Sequence, residues 1–332
     1  MRWKAMTTLL ALALASPAHA QSVEEFYRGK TVTMLVGFTA GGGYDLYARV
    51  LGRHIGRHIP GNPQVVVQNM PGAGSLKATQ YVYSVAPKDG TVLATVSRGM
   101  ATEPLLTNAN FDATKLTWIG SVTSETSICA TWQSAAVKTW DDMFKREFTL
   151  GGSAVGADPD TFALILRNVF GAKVKLVTGY PGGNDINLAM ERGEVDGRCG
   201  WSWSSLKSLK QWLPKVSPLV QFALEKNADI PEVPFALERA SNEEQRQVLR
   251  LLVAGQYLGR PFFSTPDVPA DRNQALRAAF DATMKDAEFL AETGKLDLEV
   301  TPASGKAIDA FLAGLYGTPK EVVRKAAAAI QK

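Results

Sequence analysis

Apolar and β-branched residues dominate the run from Val32 to Val36, which soon meets three consecutive glycines, Gly41, Gly42 and Gly43. Beyond them the period changes. Tyr47, Val50, Leu51 and Ile55 recur at helical spacing, while Arg49, Arg53, His54, Arg57 and His58 lie mainly around the rest. The pattern predicts a buried strand, a bare loop and an amphipathic helix over 45–59, ended by Pro60-Gly61-Asn62-Pro63. A second strand follows over 64–69, then a turn over 70–75, a helix to 85, a turn over 87–90 and a third strand over 91–96. This β-α-β-α-β order puts all three strand ends on one edge, where parallel sheets hold their ligands.

The middle of the chain repeats the scheme. A strand over 147–150 opens into the glycine-rich loop 151–158 ahead of a helix over 159–170. A strand over 173–178 opens into 179–185 ahead of a helix over 186–192, and a short strand over 194–199 ends in Gly200-Trp201-Ser202-Trp203. From Asn242 onward the periodicity is mostly helical. The fold class is therefore α/β, with two lobes that turn glycine-rich loops toward a common cleft and close about a hinge.

The loops carry the candidate chemistry. Glycines at a helix start leave backbone N–H groups open and partly positive, a cradle for a small anion, most simply a carboxylate. The loop is no nucleotide motif: a Gly-Lys-Ser/Thr ending is absent, and Leu46 sits where a dinucleotide fingerprint needs its third glycine. From the first lobe the candidate ligand contacts are Phe38, Thr39, Gly41, Gly42, Gly43, Tyr44 and Asp45, the turn Gly72, Ala73, Gly74 and Ser75, and the strand end Ser97 and Arg98. Asp45 either caps neighbouring N–H groups or meets a ligand amine or bridging water. Arg98 can grip a carboxylate in bidentate fashion, whereas alternation points Arg198 away from Cys199 and the cleft. The second lobe offers Ser153, Tyr180, Gly182, Gly183, Asn184, Asp185 and Trp201. Asn184 and Asp185 either cap their helix or touch the ligand. Of Trp201 and Trp203, only one can face the cleft.

Other chemistries find little support. His54 and His58 have the i, i+4 spacing of a metal pair, but Ile55 replaces the glutamate and arginines crowd the face, so a solvated basic surface is the better reading. No Gly-x-Ser-x-Gly elbow occurs, and neither cysteine sits in a recognisable catalytic setting. An exported enzyme using Asp45 or Asp185 as base is the rival reading, as is a ligand sensor for a signalling partner. Neither a cofactor nor a metal is expected. A hydrophobic content of 45% with 20% charged residues describes an ordinary globular chain. With no concentrated basic run, nucleic acid is not an expected partner.

The first twenty residues read as a secretory signal: Arg2 and Lys4, a short apolar stretch, and the small-x-small site Ala18-His19-Ala20. The mature chain then starts near Gln21, is exported without a lipid anchor, and carries a net charge of about +2 once Arg2 and Lys4 are removed from the +4 total. In an oxidising compartment Cys129 and Cys199 either form a disulfide or stay as two buried thiols.

The block Gly37-Phe38, Gly41-Gly42, Asp45 and Ala48-Arg49, followed by Val65-Val66-Val67-Gln68-Asn69, Pro71-Gly72-Ala73-Gly74 and Pro87-Lys88-Asp89-Gly90-Thr91, resembles the substrate-binding proteins of tripartite tricarboxylate transporters, the TctC or Bug family. The resemblance continues in Tyr180-Pro181-Gly182-Gly183, Gly193-Glu194-Val195-Asp196-Gly197, Asp229-Ile230-Pro231-Glu232-Val233-Pro234 and the tail around Pro302, Ser304 and Gly305. It implies a type II periplasmic binding fold with two crossover strands near 121–131 and 217–223. It further implies a discontinuous first lobe over 21–124 and 226–332, and a second lobe over 125–225. A protein of this kind captures a carboxylated solute between its lobes in the periplasm and delivers it, as a monomer, to the membrane components of a tripartite tricarboxylate-type transporter.

Overall fold

The computed structural model describes residues 21–154 and 156–331, and the predicted signal over 1–20 lies outside the described residues. The strands, in chain order, are β1 (Thr31–Val36), β2 (Gln64–Asn69), β3 (Val92–Thr95), β4 (Thr117–Ser121), β5 (Ser127–Trp132), β6 (Phe148–Gly151), β7 (Val174–Val177), β8 (Gly197–Ser202), β9 (Val216–Phe222), β10 (Pro261–Ser264) and β11 (Ala303–Ser304). They form two sheets. The first runs β11-β4-β10-β3-β1-β2 and the second β7-β6-β8-β5-β9.

Both sheets are built on parallel triplets. β1 lies between β2 and β3, parallel to both. β6 lies between β7 and β8, again parallel to both. Alternation along β1 sends Val32, Met34 and Val36 to a core shared with Tyr47, Val50, Leu51, Phe262 and Phe280. Leu35 points to the opposite core, with Ala78, Val82, Trp118 and Phe263. Burial on both faces explains why this strand reads as an unbroken apolar run. The chain leaves the first sheet after β4 through residues 122–126, and returns after β9, which pairs with β5.

Three features differ from the sequence reading. The four-residue β10 sits in the middle of the first sheet, antiparallel to β3 and β4, inside a stretch read as helical. Its shortness and leading proline gave no period to detect. The helices Glu243–Val253 and Lys320–Ala329 pack on each other, and Val248, Leu249, Leu252 and Ala326 join the core behind the second sheet, although residues 226–332 read as part of the first lobe. Periodicity marks a helix's apolar face and not the sheet that the face will cover. The basic face of the helix Gly43–Ile55 is not simply solvated. His54 pairs with Glu292, His58 and Arg57 with Asp286, and Arg53 and Arg57 with Glu292 and Glu288, so this face clamps the helix Ala287–Lys295.

Cys129 and Cys199 are bonded to each other, joining the adjacent strands β5 and β8. Beside them β8 carries an extra residue: Ile128 opposes Trp201, while Ala130 opposes Arg198. Gly200 supplies the positive φ of 65° that this bulge requires, and any side chain there would strike the backbone between Asp158 and Pro159. The bulge decides what faces the cleft.

Candidate functional site

Between the sheets lies a cavity of about 400 Å³. The helix Gly43–Ile55 begins on its wall, with Gly42 in extended backbone at the N-cap and no side chain capping it. The turn is held from behind. Asp45 accepts from Gly41 N–H at 2.8 Å, from Arg49 through two bonds of 2.9 Å, and from Asn69 at 2.9 Å, while Asn69 also donates to the Phe38 carbonyl. Burial works to raise the Asp45 pKa, but Arg49, the Gly41 N–H and Asn69 outweigh it and hold the carboxyl below its ordinary value. Phe38 and Tyr44 stack at 4.8 Å, and the Tyr44 hydroxyl accepts from the Arg98 backbone N–H.

Three arginines reach the cavity, from both lobes. Arg98, just after β3, is buried. Its Nε lies 2.6 Å from Asp158 Oδ2, and its Nη2 donates to Ser202 Oγ at 2.8 Å, so it ties one lobe to the other. Burial opposes its charge, but the surrounding acids Tyr44, Asp158 and Glu125 prevail, and its pKa is raised. Arg260 stands 3.4 Å from Glu125 Oε2, donates to Ser205 Oγ and lies over the rings of Tyr44 and Tyr47.

Arg198 differs from both. It is only 6% exposed, and its guanidinium donates to neutral groups: the carbonyls of Gly183, Cys199 and Gly200 and the Asn187 side-chain oxygen. Among the described residues it forms no ion pair with a carboxylate. Burial pulls its pKa down, Asp158 offsets this in part, and the neighbouring Arg98 cation adds to the fall. A buried guanidinium without a counterion carries an electrostatic cost that an entering anion would relieve.

The polar groups converge. A Cβ at Gly183 would stand 2.6 Å from Arg198 Nη1, and one at Gly41 3.3 Å from Asn184 Nδ2, so the loop of one lobe and the helix start Gly183–Glu191 of the other meet beside Arg198. Among the described residues, Arg98 Nη1 and Ser153 Oγ find no hydrogen-bond partner, and both are buried in the same cavity. Two helix starts without side-chain caps and a guanidinium without a carboxylate partner are groups that can receive an anion.

The structure brings together Phe38, Thr39, Gly41, Gly42, Gly43, Tyr44, Ser97, Arg98, Ser153, Gly183, Asn184 and Trp201 on the cavity wall. It does not bring Asp45, Gly72, Ala73, Gly74, Ser75, Tyr180, Gly182 or Asp185 there. Asp45 is spent on the loop behind it. Gly74 abuts Ala154 and Ala157 of the second lobe, and Ser75 Oγ donates to the Gly37 carbonyl and accepts from Ser97 N–H beneath the loop. Asp185 accepts from Thr39 Oγ1 at 3.3 Å across the cleft, at the point where Gly182 also approaches Thr39. Tyr180 packs against the apolar cluster around Ile186.

Sequence reasoning missed Asp158, Asn187, Ser202, Ser205, Leu209, Trp212, Arg260 and Leu298, and turned Arg198 the wrong way. Simple alternation cannot place Arg198 and Trp201 on one wall; the bulge does, and Gly200 was its one visible signal. Trp203 instead donates to Asp229 and leaves the cleft to Trp201.

Comparison with known proteins agrees with this architecture. No family model matches the chain. A UPF0065 protein from Cupriavidus necator is 39% identical over 111 residues, which span 33% of this chain and 32% of that protein, about a third of its length. The solved structure of the periplasmic binding protein BugD superposes with a TM-score of 0.71 at 21% identity, covering 90% of this chain and 98% of its own. MatC from Rhodopseudomonas palustris with bound malate gives 0.68 at 18% identity over 91% and 99% of the two chains. An R. palustris protein with adipate gives 0.70 at 18% over 90% and 97%. The resemblance read from the sequence is borne out, and the chain has the two-sheet α/β fold of the Bug and TctC periplasmic binding proteins.

Proposed function

We propose that this chain is a periplasmic solute-binding protein that captures a small organic carboxylate between its two lobes. It is exported by the signal over 1–20, works as a monomer, and delivers its ligand to the membrane components of a tripartite tricarboxylate-type transporter. The observation that carries the reading is Arg198, a buried cation lining the interlobe cavity with no carboxylate partner among the described residues. The N–H groups of Gly42 and Gly43, and that of Gly183, at helix starts that no side chain caps, complete the receptor. Malate and adipate in the solved neighbours are of the expected class. Binding needs no covalent step: a ligand that contacts both lobes shifts the population toward the closed form.

Catalysis is a poorer account of the same geometry. Asp45 and Asp185, the candidate bases, are engaged with Arg49, Asn69 and Thr39 and do not line the cavity. Thermal unfolding of residues 21–332 with a panel of carboxylic acids and their amides tests the proposal. An acid at a hundred times its dissociation constant adds ~2.7 kcal/mol, a shift of several degrees, and its amide adds none. Stabilisation by amide and acid alike would remove the anion from the account.

A further inference from the structure

Resting on the carboxylate reading above, we infer that the ligand is an amphipathic monocarboxylate, one anionic head on a bulky apolar body, and not a short dicarboxylate. The charge balance of the cavity sets the head. Arg98 is matched by Asp158 and Arg260 by Glu125, which leaves one unmatched cation, Arg198. Both helix starts meet beside Arg198, and among the described residues Ser153 Oγ, Arg98 Nη1 and Arg260 Nε are buried in the same cavity without a hydrogen-bond partner, so hydrogen bonds are available there but only Arg198 lacks a counterion.

The rest of the wall sets the body. The Arg198 guanidinium lies 5.3 Å from the centre of the Trp201 ring, and Trp212 stands edge-on to Trp201 at 6.0 Å, so an aromatic surface leads directly away from the charged group. Leu209, Leu46 and Leu298 line the same cavity. Among the described residues no lysine lines the cavity, and its only arginines are the three already accounted for. A second carboxylate would therefore lose its hydration against leucine and tryptophan without gaining a counterion. A cavity of about 400 Å³ has room for a ring or a medium-length alkyl chain, which would bury apolar area that a four-carbon diacid lacks.

Titration calorimetry with 3-phenylpropionate, hexanoate, malate, adipate and 3-phenylpropionamide decides the matter. Both monoacids are expected to bind at least tenfold more tightly than either diacid, and the amide not measurably. Trp212→Ala and Leu209→Gln, each checked for an unaltered apo melting curve, are expected to weaken 3-phenylpropionate at least fivefold, and more than they weaken malate or adipate. Since either variant can be lost to misfolding, the wild-type ranking is decisive by itself. Malate or adipate binding most tightly would overturn the amphipathic class and leave carboxylate capture standing. The amide binding as well as its acid would overturn both.

Discussion

Arg98 and Arg198 are both buried guanidiniums at or beside strand ends, on opposite walls of one cleft, yet they do different work. Arg98 is paired with Asp158 and bridges the lobes to Ser202. Arg198 touches only neutral acceptors. Burial opposes the charge of both, but nearby acids outweigh it and raise the pKa of the first, whereas burial prevails and lowers that of the second. A buried cation with its counterion built in is a structural tie; one whose counterion is left out is, on the proposed reading, a receptor. Residue type and position at a strand end do not separate the two roles, and the partners do.

Removing the tie produces the largest effect. Arg98→Met strands the buried Asp158 carboxylate and is expected to lower unfolding free energy by roughly 3–5 kcal/mol in urea titrations. A loss under about 1 kcal/mol would mean the pair is not structural. Arg198→Met inverts the outcome. Apo stability stays level or rises, since an uncompensated charge is replaced by an apolar chain, while acid affinity falls about a hundredfold, the 2–5 kcal/mol expected for truncating one partner of a buried charge pair.

A second pair of substitutions carries the same contrast to the two glycine turns. A side chain at Gly42 has room, since its Cβ meets only the Thr39 carbonyl at 3.9 Å, so Gly42→Val is expected to lose binding tenfold or more while apo stability stays within about 1 kcal/mol. Gly74 has a φ of 60° and Ala157 only 2.8 Å from its Cβ position. Gly74→Val is therefore expected to damage stability first, about 1–3 kcal/mol, and the apo melting curve will tell the two apart.

The smallest effect lies far from the cleft. Burial tends to raise the Asp286 pKa, but the Phe289 and Glu288 N–H groups with His58 and Arg57 outweigh it and hold its carboxyl well below the ordinary range. Because the folded pKa is depressed, this stabilisation is full above about pH 4 and is lost as pH falls through the depressed value. Asp286→Asn is expected to lower the melting temperature slightly at pH 7, to have a shrinking effect toward pH 2, and to leave acid affinity unchanged. An affinity change would couple the surface network to the cleft.

Much of this was legible in the chain because the parts are contiguous. β1, the glycine loop and the helix Gly43–Ile55 follow one another in sequence, so Phe38, Thr39 and the stretch 41–44 could be placed on the cleft wall from periodicity and glycine chemistry alone. What failed depends on partners distant in sequence. The turn 72–75 has the same glycine-rich look, but the second lobe's Ala154 and Ala157 occupy the space a ligand would need. Asp158 lies sixty residues from Arg98, and no local pattern announces their pairing. Arg260 and Leu298 reach the cavity from a tail whose helical period reports nothing about it, and Arg198 faces it because one extra residue shifts the alternation of β8.

The most direct test of the account is a crystal structure with the tightest-binding acid of the panel. The account predicts the carboxylate within ion-pairing distance of Arg198 and hydrogen-bonded to the N–H groups of Gly42 and Gly43. A carboxylate seated on Arg98 or Arg260, or outside the cleft altogether, would contradict it.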